Sequence, residues 1–267
     1  MTTITSRLQA VLSRIDAAAV AAGRSPRDIA LIAVSKTFPA TAIAEAYAAG
    51  QVAFGENYLQ EALGKIQVLS ARPLEWHVAS PAGGSLAPGR DMRPSAGVAS
   101  PQAGPLLRPL EWHFIGPIQS NKTRQIAERF DWVHSVDRLK IAERLSISRP
   151  AGMFPLNFCI QVNVSGEESK SGVQPEEVPA LAQAASHLTG LRLRGLMAIP
   201  EPTPDIGLQR SRFRLLRQLR DDIVGRAVAL DTLSMGMSDD LESAIAEGAT
   251  LVRVGRAIFG ERRPYPG

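Results

Sequence analysis

The sequence predicts a single (β/α)₈ barrel, and three observations support that expectation. Eight short apolar runs with strand character alternate with stretches at helical spacing over nearly the whole chain. Eight such units, rather than five or six, favour a closed barrel over an open doubly wound sheet. The 267 residues suit one large domain, read here as spanning 1–267.

The first element is a helix outside the eight units. Leu8, Val11, Leu12, Ile15 and Ala19 recur at helical spacing. The stretch lacks the basic start and unbroken apolar core of a signal peptide. Strands are then expected at 29–36, 52–57, 111–116, 132–137, 157–164, 191–199, 232–238 and 250–258. Helical stretches fill the gaps between them. Gly50 and Gly248 read as helix stops.

One segment interrupts the alternation. RPLEWH occurs at 72–77 and again at 108–113, and the residues between are rich in Gly, Pro, Ala and Ser. That composition cannot bury enough apolar surface to order a core. Residues 72–107 are therefore read as a flexible, duplicated insertion before the third strand. The second copy runs on into FIGP, so His113 is assigned to the barrel and His77 to the insertion.

Composition narrows the function. Hydrophobic residues make up 45% and charged residues 21%, the balance of an ordinary soluble domain. No apolar run reaches the roughly 18 residues of a membrane helix. The lone Cys159 excludes an intramolecular disulfide framework and makes a reducing cytoplasm the expected location. The net charge is +4, and the densest basic run, at 209–222, carries an apolar face of Phe213, Leu216, Leu219 and Ile223. The arginines are read as a solvated helix face, and nucleic-acid binding is not expected. No metal site is expected.

Several residues stand where chemistry would be placed in such a barrel, at the C-terminal strand ends. Lys36 closes the apolar run LIAVSK. It reads either as a lysine reaching solvent or as an amine activated for Schiff-base formation. Ser238 is expected to cap the following helix, with Asp239 and Asp240 in its first turn. Gly255 permits close backbone approach at the last strand end. Arg253 shares its face and needs an acceptor, either a ligand or an acidic neighbour. Asn57 and Asn163 end other strands and could equally cap turns.

The stretches AVSKT, FGENYLQEA, WHFIGPIQSNK, VNVSGEESKSG, RGLMAIP, SMGMSDDLESAI and VRVGRAIFG together resemble the pyridoxal phosphate homeostasis proteins. The resemblance implies a barrel like the N-terminal domain of alanine racemase, holding pyridoxal 5′-phosphate (PLP). It implies an internal aldimine on Lys36. Ser238, Gly255 and the backbone N–H of Arg256 would hold the phosphate, and Arg253 would face the pyridine nitrogen. Asn57, Met235, His113 and Asn163 would line the cofactor.

The resemblance further implies a carrier acting in vitamin B6 and amino-acid homeostasis, without robust catalysis. PLP-dependent apoenzymes would be its partners, and a monomer is expected. An arginine at the ring nitrogen weakens the electron sink that PLP enzymes use. Related racemases add an opposing tyrosine from a second domain. The tyrosines here are Tyr47, Tyr58 and Tyr265, and the chain is expected to end without such a domain. The alternatives are a single-domain PLP-dependent racemase, or a phosphosugar-binding barrel without PLP.

Overall fold

The structure is a computed structural model that describes residues 3–70, 109–167, 171–226 and 228–261. The expected insertion at 72–107 lies outside the described residues, as does Tyr265. Eight parallel strands close into a barrel in chain order: β1 (Ala30–Val34), β2 (Ala53–Glu56), β3 (Glu111–Phe114), β4 (Trp132–Val136), β5 (Leu156–Gln161), β6 (Leu191–Met197), β7 (Thr232–Ser234) and β8 (Leu251–Val254). β8 returns to β1, pairing Leu251 with Ala30 and Arg253 with Ile32.

Side chains alternate between two buried layers, as a pleated strand requires. Ala30, Ile32, Ala53, Trp132, Cys159, Met197 and Leu251 fill the barrel interior. Leu31, Ala33, Phe54, Phe158, Leu196 and Val252 face outward into the helices. Because both faces are buried, the strands read as nearly continuous apolar runs in sequence. The N-terminal end of the interior is closed by a polar plug. Arg194 lies 4.9 Å from the centre of the Trp132 ring and donates to Asp231 at 2.8 Å and to Asn157 at 3.1 Å.

Helices α2 (Ala40–Ala48), α3 (Leu59–Ser70), α4 (Thr123–Arg129), α5 (Leu139–Ser148), α6 (Val178–Ala185), α7 (Ile206–Val224) and α8 (Leu241–Ala246) each follow a strand. Gly50 and Gly248 end their helices with φ of 98° and 101°, in the left-handed region. Among the described residues, β8 is followed only by α9 (Arg256–Phe259), too short to cover a strand. The N-terminal helix α1 (Ile4–Ala21) fills that gap, packing against α8, α9 and α2. Its Leu8, Val11, Ile15 and Ala19 are buried, and Arg14 forms a two-point pair with Glu242 of α8 at 2.5 and 2.7 Å. The helix read as an extra element therefore completes the outer ring.

The arginine-rich helix is less purely solvated than its sequence suggests. Arg210, Arg214 and Arg217 converge on the buried carboxylate of Glu247, at 2.9, 2.9 and 3.3 Å. Burial pushes that carboxyl up, but the arginines outweigh it and hold it below its ordinary range. α7 is thereby tied to the end of α8.

Candidate functional site

The site lies at the C-terminal mouth of the barrel, where β1 and β8 run side by side. β1 ends at Val34, and Ser35 and Lys36 follow, with Lys36 half-buried. Thr37 then adopts φ 67°, a left-handed conformation that is costly for a β-branched residue. Such strain persists only where its surroundings over-determine it, and here they do. The Thr37 N–H donates to Glu61 Oε1 at 2.6 Å. Lys65, on the same helix as Glu61, donates to the Ser35 carbonyl at 2.8 Å and to Glu56 Oε1 at 2.7 Å, and also pairs with Glu61. The Ser35 hydroxyl donates to Glu56 at 2.6 Å.

This cluster clamps the main chain on both sides of Lys36. Glu56 is fully buried and Lys65 nearly so. Burial pushes the Glu56 carboxyl up, and Lys65 opposes that push. Buried charges are tolerated only when paired and hydrogen-bonded, as these are.

Arg253 lies inside the barrel on β8, 3% exposed. Burial lowers it to about 10, against the attraction of Asp240, so it remains ionised at neutral pH. Its Nη1 donates to the Ser234 carbonyl and hydroxyl, both at 2.6 Å, and its Nη2 donates to the Ala198 carbonyl at 2.9 Å. The acceptors it required are thus protein oxygens. These three contacts leave its Nε–H and a second Nη2–H for another acceptor. Two residues on, a Cβ at Gly255 would lie 3.1 Å from the Val34 carbonyl. The end of β8 therefore packs tightly onto the end of β1, two residues before Lys36.

Ser238 is not the helix cap the sequence suggested. The Asp240 carboxylate takes the Met237 N–H at 2.6 Å, folding 237–240 into a turn. α8 then starts at Leu241, with Asp240 in the flanking position. Ser238 is half-buried in that turn. Arg256 opens α9 and is exposed, its guanidinium 3.6 Å from Asp239. A cavity of about 310 Å³ adjoins this turn, lined by Pro200, Glu201, Thr203, Gln209, Met237 and Asp240 among others.

The remaining expected residues separate into three settings. Asn57 follows β2 at the mouth, and its buried Oδ1 has no hydrogen-bond partner. Asn163 organises its own loop, accepting from the Ser165 and Gly166 N–H groups and donating to the Glu167 carbonyl at 2.7 Å. Met235 is buried in the outer layer against the helices. His113 sits within the barrel, 2.9 Å from His134 and 3.0 Å from Glu111.

Residues 7–263 match the family described as alanine racemase, N-terminal domain. A pyridoxal phosphate homeostasis protein of Pseudomonas aeruginosa is 56% identical over 262 residues, covering 98% of this chain and 97% of the relative. The chain belongs to the pyridoxal phosphate homeostasis family. The Escherichia coli family member of the same name is 48% identical, covering 98% of each chain. Among solved structures, PipY of Synechococcus elongatus with PLP bound superposes with a TM-score of 0.75 at 34% identity, covering 97% of this chain and all of that one.

Sequence reasoning overlooked several residues of this family member's mouth and interior. Glu61 and Lys65 carry a visible i,i+4 signal, but Glu56 joins them only through the fold. His134 was passed over within an apolar strand, although WVHSV places it two residues beyond Trp132, on the same face of the strand. Ser234 looked like one small residue among several.

Proposed function

We propose that this chain binds PLP at the barrel mouth and serves vitamin B6 and amino-acid homeostasis as a carrier rather than a catalyst. One observation carries the reading. Lys36 follows β1, Arg253 lies on β8 with Gly255 just past its end, and those two strands are hydrogen-bonded neighbours open at the same end. The name of the family and the PLP-bound relative support the same reading.

The residues present suit the group. Arg253 offers two unengaged N–H donors, and Asn57 Oδ1 and Thr37 Oγ1 are buried without hydrogen-bond partners. Lys36 is the Schiff-base lysine of this reading, because its amine can attack an aldehyde once deprotonated. Ser238, Gly255 and the Arg256 N–H would hold the phosphate. Arg253 would donate to the ring nitrogen, and Asn57 would line the ring. Met235, His113 and Asn163, expected to line the cofactor, lie instead in the outer layer, the barrel interior and a self-bonded loop.

PLP supplies an electron sink for amino-acid chemistry when its ring nitrogen is protonated. A guanidinium beside that nitrogen disfavours the proton, since two positive charges in contact repel. Arg253 therefore suits retention of the aldehyde better than its use. PLP-dependent apoenzymes would receive the cargo, with the chain acting as a cytoplasmic monomer.

Equilibrium titration tests this reading. PLP is expected to bind one per chain and to outcompete pyridoxal, which lacks the phosphate. Amino acids added to the loaded protein are expected to show no sustained racemisation. Equal affinity for pyridoxal would remove the phosphate site, and steady turnover would make the chain an enzyme.

A further inference from the structure

The barrel interior holds a line of polar side chains that begins at Arg253 and ends at Glu111. Arg253 Nη1 donates to Ser234 Oγ at 2.6 Å. Ser234 Oγ lies 2.8 Å from His134 Nδ1, and His134 Nε2 lies 2.9 Å from His113 Nδ1. His113 Nε2 lies 3.0 Å from Glu111 Oε1. Ser234 and His134 are fully buried, and His113 is 1% exposed. The residues come from β3, β4, β7 and β8, so the line spans the barrel from its mouth toward its closed end.

Between Arg253 and His113 Nδ1 the protons have one arrangement in which each finds an acceptor. His113 Nε2 lies in ion-pair range of the Glu111 carboxylate but outside hydrogen-bond geometry, and that negative charge favours the proton on Nε2. Ser234 Oγ accepts from Arg253, and among the described residues its own proton has His134 Nδ1 as acceptor. His134 Nε2 then carries the proton that His113 Nδ1 accepts. Reversing the central bonds would strand the Ser234 hydroxyl proton in a buried site and make His113 a cation. A buried donor without an acceptor is strongly disfavoured. Burial also pushes His134 well below the ordinary imidazole range, with the positive charge of Arg253 acting in the same direction. His134 is thus neutral, as the arrangement requires.

We propose that Ser234, His134 and His113 form a one-way hydrogen-bonded line, with the Glu111 carboxylate in ion-pair range of its far end, that positions the Arg253 guanidinium for the ring nitrogen of PLP. The role of the line rests on the PLP reading above. These are positioning residues: Ser234 fixes Nη1, His134 and His113 orient the Ser234 hydroxyl, and Glu111 sets the tautomer at the far end. Trp132 stacks on His113 at 14° between ring planes, holding that imidazole in register.

Imidazole nitrogen spectra of uniformly ¹⁵N-labelled, PLP-free protein test the arrangement without cofactor. Both His113 and His134 are expected as neutral Nε2–H tautomers. A second measurement tests the role. Ser234→Ala is expected to weaken PLP binding about tenfold, the loss of one charge-assisted hydrogen bond, and Ser234→Thr to restore most of it. An Nδ1–H tautomer or imidazolium at His134 would overturn the line, as would Ser234→Ala binding PLP like the parent. Wild-type protein that failed to bind PLP would instead overturn the cofactor reading, and the assigned role with it.

Discussion

The Lys65 ammonium donates to the main-chain carbonyl of Ser35 at 2.8 Å, tying α3 to the residue that precedes Lys36. The same ammonium neutralises Glu56 and Glu61, and Glu61 in turn holds the strained Thr37 N–H. The main chain leading into Lys36, the residue proposed to hold the aldehyde, is therefore fixed by a second lysine.

Lys65→Met should expose how much depends on that contact. It leaves two buried carboxylates without their cation, which costs about 3–5 kcal/mol. Equilibrium denaturation should show the loss, and a Lys65→Met/Glu56→Gln double variant should recover part of it. A single variant with the parent's denaturation midpoint would mean the cluster is not coupled to folding.

Gly116→Ala tests the β2–β3 side of the mouth. An added Cβ would lie 2.1 Å from the Asn57 carbonyl oxygen, so the backbone that carries Asn57 must move. The expected cost is about 1–3 kcal/mol in stability, with weakened PLP binding. Unchanged stability together with unchanged binding would show that Asn57 is not held where the structure has it.

Cys159 offers a check on the packed interior. It is fully buried, and burial pushes its thiol up to about 12. An alkylating reagent at pH 8 should leave native protein unlabelled and modify one thiol per chain in denaturant. Rapid labelling of the native state would show an interior open to solvent.

The segment 72–107 is proposed to be a duplication outside the barrel unit. A chain lacking it should remain soluble, unfold cooperatively and bind PLP as the parent does. Failure of the shortened chain to fold would make the segment structural.

The sequence showed some of these features plainly and hid others, for physical reasons. Lys36 and Arg253 stood out because a charge at the end of an apolar run needs an explanation that local structure does not supply. The eight units followed from alternating periodicity, since each strand is buried on both faces. α1 could not be seen completing the outer ring, because that depends on β8 being followed by a helix of only four residues. Ser238 was misjudged because Asp240 competes for the backbone N–H groups at the same turn. The His113–His134 contact was hidden because it joins side chains on neighbouring strands whose register only the closed barrel sets.

Borohydride trapping of PLP-loaded protein, compared between the parent and Lys36→Ala, tests the role of Lys36 at its root. Reduction should fix one pyridoxyl group per chain on the parent, located by mass spectrometry at Lys36, and none on the folded variant. A variant that still gained one pyridoxyl group per chain, or a parent labelled at another lysine, would contradict the assignment of Lys36 as the residue that holds the aldehyde.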